Sequence, residues 1–276
     1  TIGFSGGNTF YDALLPDLVP ERERDVVSAR GYAFGYMGGG LLLALNIAMI
    51  EGWETFGFPD KTTATQTVFV TVGVWWIVFA LPLFRSVKDR PANRSVPLFA
   101  VIRTGFARNL ATLRRIRQYP ELAKYMLAYW FFNDGINTII VMATIYGATI
   151  GIEQKDLILA LLITQFVGYP ATILFGRLAV RLGSKKALYL SLVIYVLIVM
   201  LGFFMTTGFH FYALAIMVGL VQGGSQAVAR SIYANLTPPP RRAEFFGFLA
   251  LSSKFSASAG PFLFGLVGAL TGSVRL

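Results

Sequence analysis

The sequence predicts an all-α, polytopic membrane protein whose helices fall into two groups, and three observations carry that prediction. Hydrophobic residues make up 55% of the 276 positions, charged residues only 14%, and the mean hydropathy is +0.61. A soluble domain of this size carries more charge. The apolar residues gather into runs of about 20 or more, the length a helix needs to cross a hydrocarbon layer of roughly 30 Å. The connections between these runs alternate without exception between rich and poor in Lys and Arg, as loops on the two sides of a membrane do.

Along the chain, the stretch up to Leu15 is apolar but shorter than a span, and lacks the basic start of a signal peptide. It reads as a partial helix at the cut edge of a longer protein, and the end at Leu276 reads the same way. Whole spans are expected at 28–50, 64–85, 122–147, 155–176, 185–206, 210–234 and 243–270. The first connection holds Arg22, Arg24 and Arg30, and the second only Lys61. The third holds ten basic residues from Arg85 to Lys124, the fourth only Lys155, and the fifth Arg177, Arg181, Lys185 and Lys186. The sixth, from Met205 to Tyr212, has no Lys or Arg, and the seventh has Arg241 and Arg242. The rich loops are therefore expected in the cytoplasm.

The third connection, Ser86 to Glu121, is much longer than the others and divides the chain. Residues 1–86 are assigned to the end of an N-terminal bundle, 87–121 to a basic linker, and 122–276 to a C-terminal bundle of five spans. Within the linker Leu98, Val101, Ile102, Phe106, Leu110, Leu113 and Ile116 recur at helical spacing among five arginines. This pattern predicts a basic amphipathic helix lying on the cytoplasmic face, against anionic lipid headgroups.

Several functions are disfavoured. There is no cysteine, and the single His210 has no ligand-type neighbours, so no metal or cofactor is expected. The net charge of +10 sits beside apolar spans, where it sets topology, so nucleic acid is not an expected partner. An embedded enzyme would need paired carboxylates, clustered histidines or a nucleophile–base pair at one face. A channel would show a filter loop or pore ring. Neither pattern is visible.

The candidate functional residues are the polar ones inside spans. Asp134, flanked by Asn133 and Asn137, and Lys254 are ionisable groups near the middle of their helices, a costly position that points to function. At 1.5 Å per residue Asp134 lies roughly 18 Å and Lys254 roughly 16 Å from the cytoplasmic face. The same ruler puts Gln165 at about 18 Å, Gln222 at about 20 Å and Gln226 at about 14 Å. One polar layer near the midplane is where transporters hold substrate and coupling ion. An ion pair of Asp134 with Lys254 that only holds the bundle together is the structural alternative. Gly31, Gly35 and Gly39 share one helix face, with Gly38 beside them, and small residues on one face let helices approach closely. Arg230, nearer the cytoplasmic end, reads as an anchor or gate that snorkels to the interface. Asp12 and Asp17 read as caps for the next turn.

The segment GRLAVRLGSKKAL at 176–188 resembles the signature loop of the major facilitator superfamily, in which a Gly, an acidic residue and a basic cluster join two spans. Gly176, Arg177, Arg181, Gly183, Lys185 and Lys186 fit a gating loop of this kind, while Val180 stands where the family usually has Asp. FYDALLPDL at 10–18, SARGYAFGYMGGGLLLALN at 28–46, FFNDGINTIIVMATIYGA at 131–148, GLVQGGSQAVARSIYANLTPP at 219–239 and AEFFGFLALSSKFSASAGPFLFGLVG at 243–268 resemble a narrower branch. That branch holds the autophagy-related vacuolar amino-acid effluxers and their bacterial relatives. Asp12 stands where the branch is expected to have Asn.

The resemblance implies a twelve-helix, two-bundle fold, of which this chain lacks about three helices at the start and one at the end. It implies a monomeric secondary transporter in a bacterial cytoplasmic membrane, moving a small organic solute such as an amino acid by alternating access. From the one buried acid, protons are the expected driving ion, with Asp134 as the proton- or amine-binding group and Lys254 as its partner or as a carboxylate ligand. A non-transporting receptor or scaffold with the same fold is the competing expectation.

Overall fold

The structure is a computed structural model and describes residues 2–87, 97–256 and 259–272. Helices account for the regular structure of these residues, and no strand occurs among them. The helices are α1 (Ile2–Leu18), α2 (Arg24–Glu51), α3 (Lys61–Ser86), α4 (Leu98–Arg115), α5 (Pro120–Thr149), α6 (Gln154–Leu182), α7 (Ser184–Phe203), α8 (Gly208–Leu236), α9 (Arg242–Ser256) and α10 (Ala259–Thr271).

Local chemistry sets many of their ends. Asp60 caps α3 by accepting from the Thr63 N–H at 2.7 Å, and Thr207 caps α8 by accepting from the His210 N–H at 3.4 Å. Pro120 opens α5, where its missing N–H costs nothing, and Glu121 follows at the positive end of the helix dipole. Gly183 separates α6 from α7 at φ +88°, a left-handed conformation that favours glycine.

The expected spans fall within these helices with three differences. First, α1 runs past Leu15 to Leu18, because Pro16 keeps a helical φ and removes only one hydrogen bond. Second, α7 stops at Phe203, short of 206, since the chain turns there to build the Thr207 cap. Third, the span expected at 243–270 is described as α9 and α10, and Ala257 and Ser258 between them lie outside the described residues. The linker helix occurs as α4, with one further turn at Ile116–Gln118.

Among the described helices five are long and apolar enough to cross a membrane: α2, α3, α6, α7 and α8. α5 is as long, but the polar run from Asn133 to Asn137 lowers its hydropathy. α9 and α10 are each shorter than a span.

The centre of the molecule is the trio α2, α6 and α8. These helices approach closely over glycine: a Cβ on Gly223 or Gly224 of α8 would collide with Thr172 and Phe175 of α6, and one on Gly176 with Ala29 of α2. α7 lies on α8, while α1 packs along α9 and α8. α3 touches α2 and presents Phe69, Phe79 and Phe84 outward, a surface suited to lipid and not to water. Helices from before and after the linker are thus packed against one another, and the site lies where they meet.

Candidate functional site

Four helix ends converge at the edge of the molecule that carries the basic connections: the C-termini of α1 and α8 and the N-termini of α2 and α9. The last carbonyls of a helix lack partners within it and attract cations. Two arginines meet that demand at Pro16 of α1, whose carbonyl accepts from Arg24 Nη2 at 3.4 Å and from Arg242 Nη1 at 3.1 Å. Arg24 also donates to Asn235 of α8 at 2.7 Å, and Arg242 pairs with Asp17. At the start of α7 Ser184 Oγ donates to Asp25 Oδ2 of α2 at 2.7 Å.

One level deeper lies a cavity of about 330 Å³. α1 contributes Asn8, Tyr11 and Asp12, α2 contributes Gly31, Tyr32, Gly35 and Tyr36, α6 contributes Gln165, and α8 contributes Gln226 and Arg230. Arg230 dominates it. Its Nη1 donates to Asp12 Oδ1 at 2.9 Å, its Nε to Ser28 Oγ at 2.9 Å, and its Nη2 to the Ser28 carbonyl at 3.3 Å. The guanidinium also lies 5.4 Å from the ring centre of Tyr11 and 4.9 Å from that of Tyr32. Every one of these partners belongs to α1 or α2, whereas Arg230 belongs to α8. Ser28 extends the link by donating to the Ala227 carbonyl of α8 at 2.8 Å.

Arg230 therefore does not snorkel to the interface. Its side chain is 7% exposed, because a counter-charge and two aromatic faces meet it inside the bundle. Asp12 and Asp17 are not caps either: each faces an arginine of a neighbouring helix. The same depth ruler sets the two side chains of the pair at one level. Asp12 stands six residues before the end of α1 (18 − 12) and Arg230 six before the end of α8 (236 − 230), about 9 Å along each helix.

The expected polar layer is spread over several places. Gln165 and Gln226 line the Arg230 cavity, and Gln222 lines a second one of about 310 Å³ among α5, α6, α7, α8 and α10. Asp134 Oδ1 accepts from the Gly260 N–H of α10 at 3.1 Å, which ties α5 to α10. Asn133 and Asn137 are half-buried on α5, and Lys254 is exposed on α9. Of the glycines, Gly31 sits against Tyr11 and Arg230, Gly39 against Gln165 and Gly38 against Trp75, while Gly35 has open space before it. The segment 176–188, expected as a loop, is helical except at Gly183; in it Arg177, Arg181, Lys185 and Lys186 are exposed, and Gly176 of α6 and Ser184 of α7 make the contacts with α2.

A strandless bundle of apolar helices, with a polar cavity where its earlier and later helices meet, defines an integral membrane protein of major-facilitator type. The chain matches the family described as vacuole effluxer Atg22 like over residues 5–276, and it belongs to that family. It is 39% identical over 272 residues to a protein of Bacillus subtilis (strain 168) called uncharacterized MFS-type transporter YxiO, covering 98% of this chain and 63% of that one. It is 25% identical over 285 residues to autophagy-related protein 22 of Yarrowia lipolytica, covering 90% of this chain and 46% of that protein. Autophagy-related protein 22 of Cryptococcus neoformans (strain B-3501A) is also 25% identical, over 270 residues, with 90% and 48% covered. The chain thus spans between 46% and 63% of the length of these curated relatives.

Proposed function

We propose that this chain is part of a secondary transporter that carries a small organic solute across a membrane by alternating access. The observation that carries the reading is the polar cavity of about 330 Å³ shared by helices from before and after the linker. An ion pair between a buried arginine and a half-buried acid crosses between those helix sets, in a protein that presents many large apolar side chains outward. Binding sites of transporters lie at such seams, where two bundles rock against each other.

In this reading α1–α3 end one bundle, α5–α10 form most of the other, and the basic edge faces the cytoplasm. The contacts of Arg24, Arg230 and Arg242 close the cavity on that side. Arg230 and Asp12 offer opposite charges to a solute, Gln165, Gln226 and Asn8 offer hydrogen bonds, and Tyr32 and Tyr36 offer aromatic walls. Small amino acids suit that set of groups. Asp134 acts as a tie between α5 and α10, and the protein works as a monomer. The exposed Arg103, Arg108, Arg114 and Arg117 of α4 and the turn after it meet anionic headgroups.

The full-length parent protein in proteoliposomes tests this with a panel of labelled amino acids and other small organic solutes, with and without an imposed pH gradient. Uptake of at least one solute is expected, lost in Arg230→Gln and retained in Asp134→Asn. Uptake that survives Arg230→Gln unchanged would move the site elsewhere, and no uptake of any solute would favour a receptor or scaffold.

A further inference from the structure

Asp134 and Asp12, both half-buried acids, differ in kind in their surroundings. Asp134 of α5 accepts from the backbone of α10, so both partners lie after the linker. Asp12 of α1 accepts from Arg230 of α8, so its partner lies on the other side of the seam. Only the second contact must break when the two helix sets move apart.

We propose that Asp12 is the proton-binding site of this protein, and that its protonation releases the Arg230 latch and opens the basic edge of the cavity. The proposal rests on the alternating-access reading above. Within the pair, the acid is the member that water can reach: the Asp12 side chain is 33% exposed, that of Arg230 only 7%, and both line the cavity. The guanidinium keeps its charge at any relevant pH. A proton therefore adds to the Asp12 carboxylate, with no bond broken elsewhere, and the pair goes from net zero to +1.

The consequence follows from what then holds Arg230. Its other partners are the Ser28 hydroxyl and carbonyl and the faces of Tyr11 and Tyr32, all neutral. The charge-assisted bond to Asp12 is the strongest of the set, and it becomes a contact with a neutral acid.

Other ionisable groups around Asp12 leave Arg230 in control. On α2, Tyr32 lies within electrostatic reach of Asp12, and Arg24 is engaged by Pro16 and Asn235. On α5, Tyr129 is within reach. On α9, Arg242 pairs with Asp17 of α1, and Glu244 accepts from Thr112 of α4. Tyr11, the neighbour of Asp12 on α1, stacks on Arg230.

Opening of the basic edge can be measured without knowing the solute. This chain has no cysteine, so spin labels go to Leu18→Cys at the end of α1 and Leu182→Cys at the end of α6, both exposed and outside the cavity. The carrier is the full-length parent in nanodiscs, with any cysteine outside this chain replaced, and pulsed electron resonance reads the label distance against pH. The distance is expected to lengthen as pH falls in the unmodified protein and to stay long at every pH in Asp12→Asn. Asp12→Glu should restore the response with a displaced midpoint, and Asp134→Asn should leave it unchanged. A pH-independent distance in the unmodified protein, a native response in Asp12→Asn, or loss of the response in Asp134→Asn would each overturn the proposal. If no solute is taken up in the proteoliposome panel while the pH-driven opening is present, the transporter reading fails and the proton site stands.

Discussion

Two cavities of nearly equal volume, about 330 Å³ and about 310 Å³, lie in this molecule, and their chemistry is opposite. The first sits between α1–α2 and α6–α8 and holds an ion pair, three tyrosines, an asparagine and two glutamines. The second sits wholly among α5–α10 and is lined by Ile, Leu, Val, Met and Phe side chains, with Gln222 and three threonines as its polar members besides Tyr146. Size does not separate them. What separates them is that burying Arg230 and Asp12 is expensive and tolerable only because they meet, whereas the second lining carries no charge that must be paired.

The largest effect should come from breaking that meeting. Arg230→Ala leaves Asp12 and Ser28 without their donor, and should destabilise the protein by about 3 kcal/mol, the low end for a buried pair because Asp12 is a third exposed. Thermal unfolding in detergent checks this. The double variant Asp12→Ala/Arg230→Ala should be more stable than Arg230→Ala alone, since no charge is left stranded. A double variant at least as unstable as the single one would show that the pair contributes through packing.

A smaller effect is expected in the apolar cavity. Gln222→Leu removes one polar group from a largely hydrocarbon lining, and hydrogen bonds between membrane helices contribute about 0.6 kcal/mol on average. Stability should shift by less than about 1 kcal/mol, and solute uptake by the parent protein should stay within twofold. Strong loss of uptake in this variant alone would exchange the roles assigned to the two cavities.

The smallest effect belongs to an acid outside the spans. Asp60 accepts from the Thr63 N–H and hydroxyl at 2.7 and 3.1 Å, and the backbone bond chiefly holds its carboxyl below the ordinary carboxylate range. A group lowered in this way stabilises the folded state above its ordinary range and loses that contribution as pH falls through the lowered value. The protection of the amides in the first turn of α3, relative to their intrinsic exchange rate at the same pH, should therefore fall at acid pH, and Asp60→Ala should remove that dependence. Protection that does not change with pH in the unmodified protein would deny the cap a role.

How far the site was legible depends on the residue. The isolated acid of FFNDGINT drew attention to Asp134 because it stands mid-helix in an apolar run, and in the fold it meets a backbone N–H of α10. Asp12 lay in a stretch too short to count as a span, so its depth carried no weight, and Arg230 lay near enough to a helix end to pass for an anchor. Neither position says which helix stands opposite. Gln165 and Gln226 were visible as polar residues in spans, yet only the packing of α2 against α6 and α8 sends them to one cavity and Gln222 to another.

The sequence by itself determined that this is a helical membrane protein, where its helices run, and which family it resembles. Those properties depend on local quantities: the length of apolar runs, the polarity of the connections and the order of short motifs. The tertiary structure alone decided that Arg230 of α8 reaches across to Asp12 and Ser28, 218 and 202 positions away in the chain. The reason is geometric. A helix fixes the depth and face of each side chain but not the identity of its neighbour, and the collision-close approach of α6 and α8 over Gly223 and Gly224 settles which faces meet.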